Sequence, residues 1–287
     1  MSASVTKKNK RIIPRKHLTN IWLYVALIAL AALTIVPFIM ALSISIKGEN
    51  EAIFSMPPQL LPDNFTLDNY LTVWNTIPIP RYLLNSILIT FFGVILPLIL
   101  SALAAFPLAR MKFRGRQFIF IMILATMMIP GEVTMIPVYL IIDKLNLMGT
   151  YSGVILPGAI SVLGIFLMRQ AFMNIPKEVE ESAVIDGANT WQVFFKIMLP
   201  MVKPMLGTLA ILSFINSWNS FLWPLLILQD ESMYPLTVGL YKMEGTFVAN
   251  TRLIASGALI AMAPIIVIFV WLQRYFIDAA ISSSVKG

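Results

Sequence analysis

Six apolar runs, each long enough to cross a lipid bilayer as a helix, leave this chain little material for anything else. They cover about residues 20–46, 82–109, 118–142, 151–173, 205–228 and 253–272. A bilayer's hydrocarbon core is roughly 30 Å thick, and a helix needs ~20 mostly apolar residues to cross it. Inside that core every backbone amide and carbonyl must be satisfied within the segment, which selects helices. The expected fold class is an all-α membrane protein with six transmembrane helices. Residues 20–273 would form the membrane domain, 1–19 a basic head and 274–287 a tail. The first run, with Ala41-Leu42-Ser43 near its end as a would-be cleavage site, has some of the form of a secretory signal, but its length and the five runs that follow favour a retained span.

The 287 residues are 58% hydrophobic and only 12% charged, outside the range of a soluble domain of this length. There is no cysteine and a single histidine, His17, which excludes disulfides, thiol chemistry, a Cys/His metal site and a histidine-based triad. No clustered set of titratable residues suggests a membrane enzyme. The net charge of +7 comes from Lys and Arg beside the apolar runs, not interleaved with aromatics on a polar face, so nucleic acid is not the implied partner.

Those cations set an orientation. With the head inside, sixteen Lys and Arg fall on the inner side: the head group, the Arg110 to Arg116 group, Arg169, Lys177, Lys196, Lys203, Arg274 and Lys286. Five fall outside: Lys47, Arg81, Lys144, Lys242 and Arg252. Both termini are therefore expected in the cytoplasm. On the outer side, Asn64-Phe65-Thr66 starts a short helix whose Leu67, Tyr70, Leu71 and Trp74 recur at helical spacing as an apolar stripe.

The loop between the fourth and fifth runs, residues 174–204, reads NIPKEVEESAVIDGANTWQVFFKIMLPMVKP. Pro176 opens a helix, and Glu178, Glu180 and Glu181 follow where the positive end of the helix dipole favours acids. Gly187 can adopt positive φ and end it. Asn189 or Thr190 then caps a second helix, with Trp191, Phe194, Phe195 and Met198 as its apolar stripe. Pro200 and Pro204 mark the return to the membrane. From the residues alone, these two hinged helices are either a lever for a partner or a plain connection.

Glu181-Ser182-Ala183, Gly187, then Ile197, Leu199 and Pro200 fit the pattern E-A-A-x3-G-x9-I-x-L-P, with Ser182 in place of the first alanine. This resembles the EAA loop of bacterial ABC importer permeases, and nearly the whole chain is similar to the carbohydrate-importer permeases of the MalG type. Asn85-Ser86, Ala109-Arg110, Phe113-Arg114-Gly115-Arg116, Ile129-Pro130-Gly131-Glu132-Val133, Ile185-Asp186-Gly187-Ala188, Trp218-Asn219 and Val285-Lys286-Gly287 add to the likeness. Ala279 and Ser283 stand where related tails carry glycine, and Thr251 where an aromatic is common.

The resemblance implies a type I ABC importer permease in the bacterial cytoplasmic (inner) membrane. It implies pairing with a second homologous permease, a cytoplasmic ATPase dimer and an extracytoplasmic solute-binding protein. The cargo would be an oligosaccharide or a related polyol phosphate. Closure of the ATPases would swing the spans between inward- and outward-facing states. Glu181, Ser182, Ala183, Asp186, Gly187, Ile197, Leu199 and Pro200 are then the ATPase-coupling residues, with Glu181 facing a basic residue. No G-x4-G-K-[ST] stretch is present to cradle phosphates, so ATP and Mg are expected on the partner and no cofactor on this chain.

Polar residues inside spans are costly and usually face a cavity or a partner. Glu132 lies between Pro130 and Pro137, where it lines a pathway or bonds a neighbouring helix. In the fifth run Asn216, Asn219 and Trp223 share a face by their spacing, while Trp218 does not. Amides with indoles suit sugars, although tryptophan near a span end also serves as an interface anchor. The alternatives are a related importer for a non-sugar solute and a stand-alone secondary transporter. The second lacks support from any visible inverted repeat.

Overall fold

The computed structural model describes residues 16–284 apart from 54, 56–58 and 247–249. The basic residues before Lys16, the pair Pro57-Pro58 and the final Val285-Lys286-Gly287 lie outside the described residues. Helices follow in the order α1 Lys16–Ser45, α2 Asp68–Thr76, α3 Ile79–Arg110, α4 Arg116–Ala125, α5 Gly131–Lys144, α6 Tyr151–Ile155 and α7 Val162–Met173. Then come α8 Lys177–Ile185, α9 Thr190–Met201, α10 Lys203–Trp218, α11 Leu222–Ile227, α12 Leu236–Thr246 and α13 Thr251–Ser284. Apart from helices, the described residues contain one isolated bridge, Lys47 with Phe65.

Single helices supply three apolar crossings: Ile21–Ser45 of α1, all of α3, and Thr251–Val270 of α13. Three further crossings are bent pairs: α4 with α5 at 101°, α6 with α7 at 44°, and α9 with α10 at 75°. The chain thus has six spans when each pair counts as one. Local chemistry accounts for the bends. A proline has no amide hydrogen and pushes the preceding residue out of the helical region. Ile129 is accordingly extended at φ −90, ψ 116, and Pro130 caps α5. Ser161 starts α7 by accepting the Gly164 amide at 3.0 Å. Pro204 lies in the first turn of α10, where its missing donor costs nothing. The fifth run is also interrupted: α10 stops at Trp218, and α11 resumes only at Leu222.

The long α3 is the spine. Around its first turns, Ile79, Tyr82 and Ile89 pack with Val73, Ile142, Val154, Ile227 and Leu236. Around its last turns, Ala102, Ala105 and Phe106 pack with Met168, Phe172, Phe194, Met198 and Leu209. Lipid is as apolar as leucine, so close backbone approach has to hold such helices together. Two glycines provide it: a Cβ on Gly93 would lie 2.3 Å from Ser217 Oγ, and one on Gly164 would lie 2.4 Å from Ser101 Oγ. Asn85 and Ser86 pin a distant segment to α3. The Asn85 amide donates to the Ser232 and Tyr234 carbonyls at 2.9 Å each, and Ser86 Oγ accepts the Leu236 amide at 2.8 Å.

Beyond the start of α3, the segment between α1 and α2 is tied by polar contacts. Glu51 accepts the Asn64, Asp63 and Gly48 amides at 2.7, 3.0 and 3.3 Å, and its own carbonyl receives Arg252 Nη2. Lys47 is buried, with Nζ donating to the Ala52 carbonyl at 3.2 Å. Most of the apolar stripe expected on α2 is turned away from the chain's own core: Leu67, Leu71 and Trp74 are exposed, Tyr70 is half-buried with its hydroxyl 2.8 Å from Ser45 Oγ, and Asn69 and Val73 face inward. The Asn69 amide sets this rotation by donating to the Ser45 and Lys47 carbonyls at 2.9 and 3.0 Å. A buried amide demands partners more strongly than a leucine demands contact.

Candidate functional site

Two features stand apart from ordinary helix packing. One is the loop of α8 and α9. The other is a cavity at the middle of the bundle.

Helix α8 starts after Pro176 with Glu178 and Glu180 in its first turn. It ends in a full Schellman motif: the Gly187 amide donates to the Val184 carbonyl at 3.0 Å and the Ala188 amide to the Ala183 carbonyl at 2.9 Å. Gly187 takes φ +85, the left-handed region that glycine enters without a Cβ penalty. Asn189 then caps α9 in a reciprocal box. Its Oδ1 accepts the Gln192 amide and its own amide donates to Gln192 Oε1, both at 2.9 Å. Gln192 was not singled out from the sequence, although the N-x-x-Q spacing carries that signal.

The stripe expected on α9 splits. Residues Val193–Met198 form a π-helical turn that buries Val193, Phe194 and Met198. It leaves Trp191 and Phe195 outside, stacked with ring centroids 5.9 Å apart. A wider turn changes which side chains share a face, so the spacing rule for a regular helix fails here. Of the expected coupling residues, Glu181, Ser182, Asp186, Gly187 and Pro200 are exposed. Ala183 is buried against the loop's aromatic core, while Ile197 and Leu199 are half-buried. Ile185, 84% exposed, and Trp191, 65% exposed, flank the glycine turn with Val184 and Phe195 as an open apolar surface. Arg110, at the end of α3, braces this loop: Nη2 donates to the Ile175 carbonyl at 2.5 Å, and Nε lies 3.7 Å from Glu180 Oε2.

The cavity, about 530 Å³, lies against the middle of α3 at Ile89, Gly93 and Pro97, between the two apolar clusters. The breaks of three other spans meet around it. From α4–α5 come Gly131, Glu132 and Thr134; from α6–α7 come Pro157, Gly158 and Ser161; from α10–α11 come Ser213, Asn216, Ser217, Ser220 and Trp223. Where a helix is interrupted at membrane depth, its freed backbone groups must face protein or a polar space. The wall is correspondingly mixed, with hydroxyls, one amide, one carboxylate and an indole.

The structure separates the expected pathway residues. Glu132, Asn216 and Trp223 line the cavity; Trp223 Nε1 donates to the Gly153 carbonyl at 3.2 Å, which fixes the ring. Trp218 does not line it. It is buried toward α13, donating to the Ala261 carbonyl at 3.4 Å and stacking on Phe214. Asn219 does not line it either, because α10 ends at Trp218 and the amide turns back to the Ile215 carbonyl at 2.9 Å. Ser161, Ser213, Ser217 and Thr134 were not singled out from the sequence. Small hydroxyl residues in spans usually serve packing, so they carry no distinguishing signal. Among the described residues, no three His, Cys, Asp or Glu side chains gather to hold a metal.

Comparison with known proteins agrees with the overall fold. The family model described as "Binding-protein-dependent transport system inner membrane component" matches residues 97–281. The arabinooligosaccharides transport system permease AraQ of Halalkalibacterium halodurans is 37% identical over 227 residues, 79% of this chain and 81% of that protein. AraQ of Bacillus subtilis is 34% identical over 276 residues, 96% of this chain and 98% of that protein. Among solved structures, a bacterial ABC transporter involved in import of the acidic polysaccharide alginate superposes with a TM-score of 0.77 at 28% identity. That superposition covers 94% of this chain and 100% of the other.

Proposed function

We propose a role in carbohydrate import for this chain, and the premise is its family: it belongs to the binding-protein-dependent transport system inner membrane components. It is a multi-pass membrane permease of the ABC importer class. The observation that carries the sugar reading is the cavity. Its volume, about 530 Å³, is that of a ligand site, and it combines hydroxyls, an amide and a carboxylate with one fixed indole face. Sugar hydroxyls bond such groups, and apolar ring faces stack on indole. Glu132, Asn216 and Trp223 are the pathway residues in this reading. Trp218 and Asn219 hold the helix end that presents Asn216.

The α8–α9 loop takes the motor's stroke. Its exposed Glu181, Ser182, Asp186 and Gly187 face a cleft of a separate ATPase, which binds ATP and Mg. Ile185, Trp191 and Phe195 supply apolar contact there. Ala183, Ile197, Leu199 and Pro200 hold the loop's form. The ATPase works as a dimer beneath a pair of permeases, of which this chain is one, and an extracytoplasmic binding protein delivers the cargo. The loop and both termini lie in the cytoplasm, in keeping with the distribution of Lys and Arg.

Uptake of a labelled oligosaccharide by cells carrying this chain, its partner permease, the ATPase and the binding protein tests the reading. Uptake is expected to disappear when this chain is deleted or the ATPase is inactivated. Uptake that persists without the ATPase would mark a stand-alone transporter and overturn it.

A further inference from the structure

Among the described residues, Glu132 is the one charged side chain on the cavity wall, and no Lys, Arg or His lines it. Glu132 forms no ion pair among the described residues. The same cavity wall carries the hydroxyls of Thr134, Ser213 and Ser220, the Asn216 amide and the Trp223 ring. Gly131, its neighbour on the wall, would meet nothing within 4 Å if it carried a Cβ, so the backbone beside Glu132 opens directly onto the space.

An unpaired carboxylate at membrane depth is costly, and a residue held there usually has a functional partner. It accepts hydrogen bonds and cannot donate them, so sugar hydroxyls suit it. A second anion does not. Like charges a few ångströms apart repel strongly where water is scarce, and an acidic cargo would find no guanidinium or ammonium on this wall to offset the repulsion. We infer that the half of the pathway carried by this chain takes an uncharged glycan, with Glu132 binding its hydroxyls and turning away glycans that bear carboxylate or phosphate groups. This deepens the carbohydrate reading above and rests on it. It divides the cargo classes named for two similar proteins, placing this chain with the arabino-oligosaccharides and apart from alginate.

The test compares two ligands that differ only at C6 of each of their four sugars: α-1,4-linked galactotetraose, and tetragalacturonate, in which each C6 hydroxymethyl is a carboxylate. The permease pair with its ATPase, in lipid nanodiscs without the binding protein, is titrated with each by calorimetry at low and high salt. The neutral ligand is expected to bind at least about tenfold more tightly at low salt, a gap of the size one like-charge contact produces. The gap should narrow as salt screens the repulsion. It should shrink in Glu132→Gln at both salt levels, and a purely structural role for Glu132 would not move that salt dependence. Equal or tighter binding of tetragalacturonate, or a gap unchanged in Glu132→Gln, overturns the inference and leaves carbohydrate import standing. Binding of neither ligand overturns it as well, and the uptake experiment then decides whether the import reading falls with it.

Discussion

Arg110 and Glu180 meet at 3.7 Å, joining the last turn of α3 to the first helix of the protruding loop. The same guanidinium donates from Nη2 to the Ile175 carbonyl at 2.5 Å. These contacts differ in worth. The ion pair is longer than a hydrogen bond and Glu180 is partly exposed, which places it near 0–1 kcal/mol, about the value of a surface pair. Removing the charged donor from a half-enclosed carbonyl costs about 1–3 kcal/mol. Arg110→Met should therefore lower the thermal inactivation midpoint of the solubilised complex clearly more than Glu180→Gln. Equal effects would mean that the charge pair, not the carbonyl bond, braces the loop.

Some of this architecture was legible in the sequence because single residue types dictate it. Runs of ~20 apolar residues allow few alternatives in lipid, which makes the six spans readable. Gly187 was readable, and the cap narrowed to Asn189 or Thr190, because positive φ and helix capping each favour a short list of residues. Asn85 was not, since its partner Ser232 lies 147 residues away and nothing local names it. Asn216 and Asn219 looked alike from spacing. They part only because α10 ends at Trp218 without a proline or glycine to announce it. The split stripe of α9 depends on a π-helical turn that regular periodicity does not anticipate.

Gly187 combines an exposed position with φ +85. A Cβ there meets nothing within 4 Å, so substitution strains the backbone without creating a clash. The strain is about 1–2 kcal/mol for an ordinary residue and less for asparagine and aspartate, which tolerate this region, so those two variants differ mainly by the added charge. Gly187→Asp should insert at normal levels yet lose most ATP-dependent uptake, and Gly187→Asn should retain more. The measurement is membrane abundance alongside uptake. Normal uptake by the aspartate variant would show that the turn does not face the motor.

Gly153 and Gly131 predict opposite outcomes for the same substitution. A Cβ on Gly153 would lie 2.3 Å from the Leu147 carbonyl oxygen, a backbone atom that cannot swing aside. Overpacking of this kind costs about 1–3 kcal/mol, and the strain also disturbs the carbonyl that fixes Trp223. Gly131 opens onto the cavity without a positive φ, so alanine there gains about 0.4–1 kcal/mol by restricting the unfolded chain. Gly153→Ala should lower the melting temperature in detergent, and Gly131→Ala should hold or raise it. A loss of stability at Gly131 would show that the cavity closes on that residue.

Glu51 makes the segment between α1 and α2 sensitive to acid. Desolvation acts to raise the pKa of its carboxyl, but the Asn64, Asp63 and Gly48 amides, helped by the Lys47 charge, outweigh this and hold it below the usual 4.5. Because the folded value is the lower one, the unfolded segment binds the proton more readily. The carboxylate's contribution is thus fully present above pH 4.5 and is lost as the pH falls through the folded value. Hydrogen-exchange protection factors at Gly48, Asp63 and Asn64, corrected for intrinsic rates, should be level from neutral pH down to the ordinary carboxylate range and then fall. Glu51→Gln, which keeps the shape but loses the charge, should show the low protection at every pH. Protection that ignores acid in the unmodified chain would mean the three amides are held by the surrounding backbone, with the carboxylate incidental.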